Sequence, residues 1–254
     1  MRRTLLVLLA FMLVPWAARA QGTLQVRLPD GFVYLRHVDP SIAQDMRYAT
    51  ANNFTGRALP GYATGECILR RPAAEALKRV QADLSRQALS LKVYDCYRPT
   101  RAVTAMARWA HDPNATPDTS RFYPRLQKNR LFALGYIASH SAHSRGVAVD
   151  LTVVPKGSQR PPYDAQAHYS ACTSAARAPD NSLDMGTGFD CFDTASYTQD
   201  GSITPRQRAN RDILLNAMRR QGFSNYKREW WHFSYPAADS GKAYDFVIEA
   251  PGAR

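Results

Sequence analysis

The four cysteines of this 254-residue chain constrain its fold most, because all of them follow an N-terminal segment with the features of an export signal. In that segment Arg2 and Arg3 precede the uncharged run 5–14, and small residues at 18 and 20 precede Gln21. The run is too short to cross a bilayer, which needs about 20 apolar residues. We therefore predict that residues 1–20 are a secretory signal peptide and that residues 21–254 form a single exported domain, periplasmic or secreted.

The cysteines are expected to form disulfides, because they lie in the predicted exported part, where disulfides persist. They are Cys67, Cys96, Cys172 and Cys191. Their spacing differs from that of a zinc knuckle, so a structural role is favoured. Four cysteines allow three pairings, and closeness along the chain favours Cys67 with Cys96 and Cys172 with Cys191.

The net charge of the chain is strongly positive. It is +12 at pH 7, and removal of residues 1–20 takes away three arginines and no acid, which leaves +9. Lysine and arginine are scattered rather than clustered in a stripe, and export removes the usual nucleic-acid partner. We therefore expect no nucleic-acid binding and, after cleavage of the signal, no membrane insertion.

The pattern of apolar residues predicts alternating strands and helices. We predict strands over 24–38 and 89–95, and helices from Pro72 through Leu84, after Pro99, and from Pro205 to Gly222 with Thr204 as N-cap. Residues 155–188 show little periodicity and are predicted to be a long surface excursion, held by Cys172. The fold class is therefore a single α+β domain with a central sheet flanked by helices.

The first string with chemical potential is Ser141-Ala-His143-Ser-Arg-Gly146-Val-Ala-Val-Asp150. From Val147 to Val153 the odd-numbered residues are aliphatic and share one strand face, while the even-numbered residues, Asp150 among them, take the less apolar face. An unbroken strand would place His143 on the face opposite Asp150. We therefore predict that Gly146 turns the chain and lets the two side chains converge.

The second string is Glu229-Trp-Trp-His232-Phe-Ser-Tyr. Alternate aromatic residues from Trp231 to Tyr235 predict a buried strand face, which leaves His232 on the other face. Glu229 has the wrong parity for His232 in an ideal strand. A bend or bulge at the two tryptophans is therefore expected.

Together the two strings provide a candidate metal centre. Two histidines and one aspartate are three protein ligands, and a catalytic zinc keeps its fourth tetrahedral position for water. A nearby glutamate can accept the proton of that water. Either histidine alone is more often a hydrogen-bonded structural residue, and the zincin helix motif is absent, so the prediction depends on the two strings occurring together.

Three further strings complete a family pattern. They are Asp45-Met-Arg-Tyr48-Ala-Thr-x-x-Asn53-Phe-Thr-Gly56, Tyr94-Asp95-Cys96-Tyr97-Arg98-Pro99 and Met185-Gly-Thr-Gly-Phe-Asp190. Over residues 30–248 the chain resembles the zinc D-alanyl-D-alanine dipeptidases of the vancomycin-resistance type. The resemblance implies the small α+β fold shared by D-Ala-D-Ala peptidases and lysostaphin-type enzymes, with a central, mainly antiparallel sheet. Cys96 stands where that family is expected to have glycine.

The resemblance also implies the metal centre and the catalytic groups. His143, Asp150 and His232 would be the ligands of one zinc ion per chain. Glu229 would be the catalytic acid/base, and Arg98 would stabilise the oxyanion of the tetrahedral intermediate. The alternative for Arg98 is a structural salt bridge.

Three more positions match those that the family uses for substrate recognition. They are Tyr48, Ser141 and Asp190. Asp190 also fits on chemical grounds, because the ammonium group of a free dipeptide needs an anion. Its alternative is an acid in the turn after Gly188.

The predicted function is hydrolysis of D-alanyl-D-alanine to two D-alanines. A resistance enzyme works in the cytosol, where the dipeptide is made, so an exported chain is expected to act in cell-wall peptide turnover instead. Two alternatives stay open: a zinc D,D- or L,D-carboxypeptidase of longer stem peptides, and a catalytically silent peptidoglycan-binding module. The presence of Glu229 and Arg98 disfavours the silent module, because neither is needed to bind zinc.

Overall fold

A computed structural model describes residues 27–159, 161–164 and 167–252. The predicted signal peptide and residues 24–26 of the first predicted strand lie outside the described residues. Within the described ranges, no helix has the length and apolar character needed to cross a membrane.

A five-stranded sheet forms the centre of the protein. Its strands, with a separate two-stranded sheet of β1 and β3, are β1 Phe32–Tyr34, β2 Ala43–Gln44, β3 Ile68–Arg70, β4 Leu89–Asp95, β5 Ala148–Pro155, β6 Ser224–Asn225 and β7 His232–Ser234. The order in the central sheet is β2-β4-β5-β7-β6, and only the short β2 runs parallel to its neighbour. The prediction of a central, mainly antiparallel sheet is confirmed.

Four α-helices accompany the strands in the described part of the chain. They are α1 Leu35–Val38, α2 Arg71–Ser85, α3 Thr100–His111 and α4 Pro205–Arg220. Short 3₁₀ helices cover Arg47–Ala49, Ser120–Phe122, Lys128–Arg130, His143–Arg145, Thr194–Ser196 and Pro236–Ala238. Helix α2 packs against β4, and α4 packs against α2 and β6, so the mixed α+β prediction is confirmed.

The three long predicted helices occur where the sequence placed them. Helix α4 begins as expected, because the Thr204 side chain accepts a bond from the Gln207 amide while the Gln207 side chain accepts one from the Thr204 amide. It ends at Arg220, just before Gly222, whose φ of +88° suits glycine.

One prediction about a strand is wrong. The dense apolar run after Gly31 is a strand only over Phe32–Tyr34, and residues 35–38 form a helical turn in which the Asp39 amide donates to the Leu35 carbonyl. Both faces of β5 are buried, the less apolar even-numbered face included, since every residue from Ala148 to Val154 is buried. Strand β5 is the middle strand of the sheet, with both of its faces covered by protein.

The excursion after β5 is attached to the body of the protein at several points. The Cys172–Cys191 disulfide forms, and so does Cys67–Cys96, as predicted. The Leu183 amide donates to the Val153 carbonyl of β5. The buried Arg211 of α4 donates to the carbonyls of residues 185, 195 and 197. The segment that carries Asp190 is therefore held by β5, by α4 and by the Cys172–Cys191 disulfide.

Candidate active site

Neighbouring elements bring His143, Asp150 and His232 together. In the sheet, Asp150 of β5 lies directly opposite His232 of β7. His143 opens the 3₁₀ helix before β5, and Gly146 then turns the chain with a φ of +73°, as predicted. A Cβ atom at Gly146 would lie 2.2 Å from the ring of Phe32, so only glycine fits this turn.

The potential ligand atoms of these three residues form a small triangle. Asp150 Oδ1 lies 3.3 Å from His143 Nε2 and 3.0 Å from His232 Nδ1, and the two nitrogens are 3.2 Å apart. Bonds of about 2.0 Å to a tetrahedral metal ion place its ligand atoms about 3.3 Å from one another. The triangle therefore has the dimensions of one face of a tetrahedral site.

The hydrogen bonds around the triangle also favour a cation. His143 Nδ1 lies 2.6 Å from the Cys96 carbonyl oxygen, to which it donates, so the proton of a neutral ring is on Nδ1. The Nε2 lone pair then points at a carboxylate oxygen of Asp150 and at the second imidazole. A histidine whose other ring nitrogen donates to a backbone carbonyl is typical of metal sites.

The charges at the triangle influence one another. Burial works to raise the pKa of the Asp150 carboxyl, but the charges and hydrogen bonds of His143 and His232 hold it below its usual value. For His232, burial works to lower the pKa, but the hydrogen bond and the charge of Asp150 outweigh burial and raise it.

Glu229 reaches the same place by a turn between β6 and β7. The Glu229 amide donates to the Tyr226 carbonyl, and the His232 amide donates to the Glu229 carbonyl. This tight turn is the bend that the parity of the two residues required. Glu229 Oε2 lies 3.7 Å from His232 Nδ1, and burial raises the pKa of Glu229 to about 7.

Arg98 lies between the end of β4 and the triangle. Its Nε and Nη2 atoms each lie 2.8 Å from the buried carboxylate of Asp95, and Nη2 lies 3.4 Å from Asp150 Oδ2. The Tyr62 hydroxyl donates to the second oxygen of Asp95 at 2.7 Å. The salt bridge considered as the alternative role of Arg98 is present, and the same guanidinium also lines the cavity described below.

Asp190 and Tyr48 form a buried pair. The Tyr48 hydroxyl donates to Asp190 Oδ2 at 2.8 Å, and the Arg98 guanidinium lies over the Tyr48 ring at 4.8 Å. Asp190 has a φ of +57° and is only 4% exposed. Burial, reinforced by the charge of Asp150, holds the pKa of Asp190 well above its usual value.

One cavity of about 220 Å³ joins these groups. All eight residues singled out from the sequence line it: Tyr48, Arg98, Ser141, His143, Asp150, Asp190, Glu229 and His232. The remaining wall is largely apolar and includes Phe54, Val103, Met106, Ile137 and Phe192. The cavity thus has a polar floor rich in ionisable groups and an apolar surround.

The sequence of the chain matches the model of a known protein family. A model of the D-ala-D-ala dipeptidase family matches residues 29–162 and 165–249, a span that contains every cavity residue named above. The chain belongs to the D-Ala-D-Ala dipeptidase family.

Individual members of the dipeptidase family are similar in sequence to this chain over most of their length. The D-alanyl-D-alanine dipeptidase of Enterococcus faecalis is 31% identical over 206 residues, which span 81% of this chain and 92% of the relative. That of Streptomyces coelicolor is 32% identical over 218 residues, or 85% and 98% of the two chains. That of Escherichia coli is 31% identical over 209 residues, or 82% and 86%.

The D-Ala-D-Ala dipeptidases are metallopeptidases, and the triangle of His143, Asp150 and His232 is a place in the described residues that could hold their metal ion. The apolar wall of the cavity was missed in the sequence. Its residues come from segments far apart along the chain, such as Phe54 before α2 and Phe192 after the excursion. The sequence carries no local pattern that links such positions.

Proposed function

We propose that this protein is a zinc-dependent dipeptidase that hydrolyses D-alanyl-D-alanine to two molecules of D-alanine. The observation that carries the proposal is the single small cavity that holds three metal-ligand atoms, a buried glutamate and a buried aspartate. Family membership and the names of the relatives support the same reaction.

Zinc is the proposed metal, one ion per chain. Imidazole nitrogen and carboxylate oxygen suit it, and three protein ligands are the number found in catalytic zinc sites. His143, Asp150 and His232 would hold the ion. When bound, zinc supplies Lewis acidity, which polarises a carbonyl group and lowers the pKa of coordinated water to about 7.

Glu229 and Arg98 would perform the proton and charge steps. The Glu229 carboxylate would accept a proton from the attacking water and return it to the nitrogen of the leaving D-alanine. The Arg98 guanidinium would bind the carbonyl oxygen of the scissile bond and stabilise its developing negative charge. Asp95 keeps that guanidinium in place through a hydrogen bond from Nε and an ion pair with Nη2.

Asp190 and Tyr48 would bind the free ammonium group of the dipeptide. Asp190 is buried and accepts a bond from Tyr48, and an ammonium group would supply the positive charge that its carboxylate needs in a buried site. Ser141, which also lines the cavity, would take part in substrate recognition. The cavity is smaller than the roughly 300–1,000 Å³ of sites for drug-sized ligands, which favours a dipeptide over a longer stem peptide.

The substrate is tested by D-alanine release from two compounds. We expect zinc-loaded protein comprising residues 21–254 to cleave D-Ala-D-Ala and to leave a stem pentapeptide ending in D-Ala-D-Ala intact, because the pentapeptide lacks a free ammonium group next to the scissile bond. Cleavage of the pentapeptide alone would make the protein a carboxypeptidase. Cleavage of neither would favour the silent binding module.

Metal removal is expected to abolish dipeptidase activity, and one equivalent of zinc should restore it. The ligand set is checked by replacing His143 with alanine, which should lower bound zinc from one ion per chain to nearly none. His140→Ala is the matched control, because His140 is an exposed histidine three residues earlier that bonds Ser139. Metal analysis of both variants tests the assignment of His143 as a zinc ligand. Full zinc content in His143→Ala would contradict that assignment.

We further propose that the protein is exported and acts on dipeptide released during cell-wall turnover. The two disulfides support an oxidising compartment. The mature protein isolated from the envelope fraction should begin at Gln21, and expression of the full-length chain should leave glycopeptide susceptibility unchanged. A cytosolic, uncleaved product or newly acquired resistance would contradict this location.

A further inference from the structure

The end of the excursion carries an ion cluster that the proposed reaction does not use. The Asp180 carboxylate accepts a hydrogen bond from the Tyr94 hydroxyl, and the Asp180 backbone carbonyl accepts one from Lys92 Nζ. Lys92 Nζ and Arg47 Nη2 each lie 3.9 Å from Asp180 Oδ2. Both cationic side chains are almost fully buried, so Asp180 supplies charge inside the protein.

The cluster continues into the candidate active site through two stacked rings. The Tyr94 and Phe189 rings are nearly parallel, with an interplanar angle of 18° and their centroids 4.5 Å apart. The Arg47 guanidinium and the Lys92 ammonium lie about 5 Å from the Tyr94 ring centroid. Phe189 immediately precedes Asp190 in the chain, so the stack fixes the backbone from which the Asp190 carboxylate projects.

Asp190 is thereby held on three sides. Phe189 is stacked before it, Cys191 is tied to Cys172 after it, and Tyr48 bonds its carboxylate. The first of these restraints involves Asp180, because the hydroxyl of the buried Tyr94 donates to the Asp180 carboxylate, while the Ser182 hydroxyl lies 2.8 Å from the same Tyr94 oxygen. Asp150 and His232 are held by the pairing of β5 with β7, and Phe189 contacts the neighbouring Trp231 ring edge-on with the centroids 5.6 Å apart.

We propose that Asp180 is a positioning residue for recognition of the substrate's amino terminus, acting through the Tyr94–Phe189 stack on the Asp190 carboxylate. This inference rests on the proposed function, in which Asp190 binds the ammonium group. Loss of the Asp180 carboxylate removes the anion nearest the Tyr94 hydroxyl and Lys92, and leaves Ser182 as the remaining partner of that hydroxyl and Asp45 as the ion-pair partner of Arg47. The ring then shifts, and Asp190 moves relative to the scissile bond, while the metal ligands and Glu229 stay in place.

The test compares KM and kcat for D-Ala-D-Ala in Asp180→Asn and Tyr94→Phe. We expect KM to rise by about fivefold to tenfold in each, the effect of a weakened charged contact, while kcat per zinc-loaded chain changes by less than about twofold. A loss of folded protein alone would lower the apparent kcat and leave KM unchanged. Asp184→Asn is the matched control, because it removes the same charge from the same segment but bonds Arg177 and Gln207 instead.

A double-mutant cycle separates this proposal from the proposed function. Asp190→Asn should raise KM by about a hundredfold, and adding Asp180→Asn to it should change KM by less than about twofold, because the positioned carboxylate is then gone. If Asp180→Asn raised KM by the same factor in the wild-type protein and in Asp190→Asn, the positioning role would be overturned. An unchanged KM in Asp190→Asn would overturn the ammonium site and, with it, this proposal. If Asp180→Asn does not fold, Tyr94→Phe decides, since it removes a single hydroxyl.

Discussion

Replacing Glu229 with glutamine is expected to lower kcat for D-Ala-D-Ala by about 10³-fold while one zinc ion stays bound per chain. Glutamine has the size of glutamate and keeps an acceptor oxygen, but it cannot take the proton of the attacking water. Glu229 Oε2 lies 3.7 Å from His232 Nδ1, and the side chain is 12% exposed, so water has access to it beside the proposed metal ligands. Kinetics and metal analysis on the same preparation check both parts of the prediction.

Two comparisons make this prediction specific. Glu249→Gln makes the same chemical change at an exposed glutamate near the C-terminus and should leave kcat unchanged. KM should stay within about threefold in Glu229→Gln, because the proposed ammonium site consists of other residues. Turnover that survives the substitution would show that another group handles the proton, and loss of zinc would make Glu229 part of the metal site.

The metal triangle could be predicted from the sequence because its geometry is set locally. The period-two pattern of β5 and β7 fixes the directions of Asp150 and His232, and antiparallel pairing then brings them opposite each other. His143 converges with these two residues because the chain turns at Gly146, a turn that only glycine can make. The glycine at that position is visible directly in the sequence. Such features follow from residue spacing and require no knowledge of the remaining fold.

The errors have physical reasons of a different kind. The apolar run after Gly31 fits a strand or a helix equally well, and its pairing with Ile68–Arg70 ends after three residues. No prediction was made about the burial of the less apolar face of β5, which is buried because the sheet is covered on both sides, a tertiary property that alternation does not reveal. The buried cluster around Asp180 was missed for the same reason, because its members are distant in sequence.

Cys96 shows how a single residue can serve two purposes. Its pairing with Cys67 could be predicted from proximity along the chain. Its backbone carbonyl, however, accepts the bond from His143 that orients the imidazole, and no side-chain pattern signals this role. The disulfide therefore lies directly beside the backbone group that fixes one of the proposed ligands, and Arg98 follows two residues later.

Replacing Arg98 with lysine is expected to lower kcat for D-Ala-D-Ala by about 10²-fold with zinc content unchanged. The Arg98 guanidinium donates to Asp95 from Nε, forms an ion pair with it through Nη2, and still borders the cavity. Lysine carries the same charge as a single compact group, so it can pair with Asp95 but cannot also reach the carbonyl oxygen of the substrate. Since the charge balance against the buried Asp95 is kept, the variant should fold.

This substitution separates the salt bridge that Arg98 forms with Asp95 from the oxyanion role proposed for it. If the salt bridge with Asp95 were its only purpose, lysine would preserve kcat in the folded protein, and any defect would appear as a lower melting temperature. If the guanidinium also stabilises the oxyanion, kcat falls in fully folded, zinc-loaded protein. Arg101→Lys provides the matched control, because Arg101 also bonds an aspartate, Asp245, but on the surface. Circular dichroism, metal content and kinetics on both variants therefore distinguish a catalytic cation from a structural one.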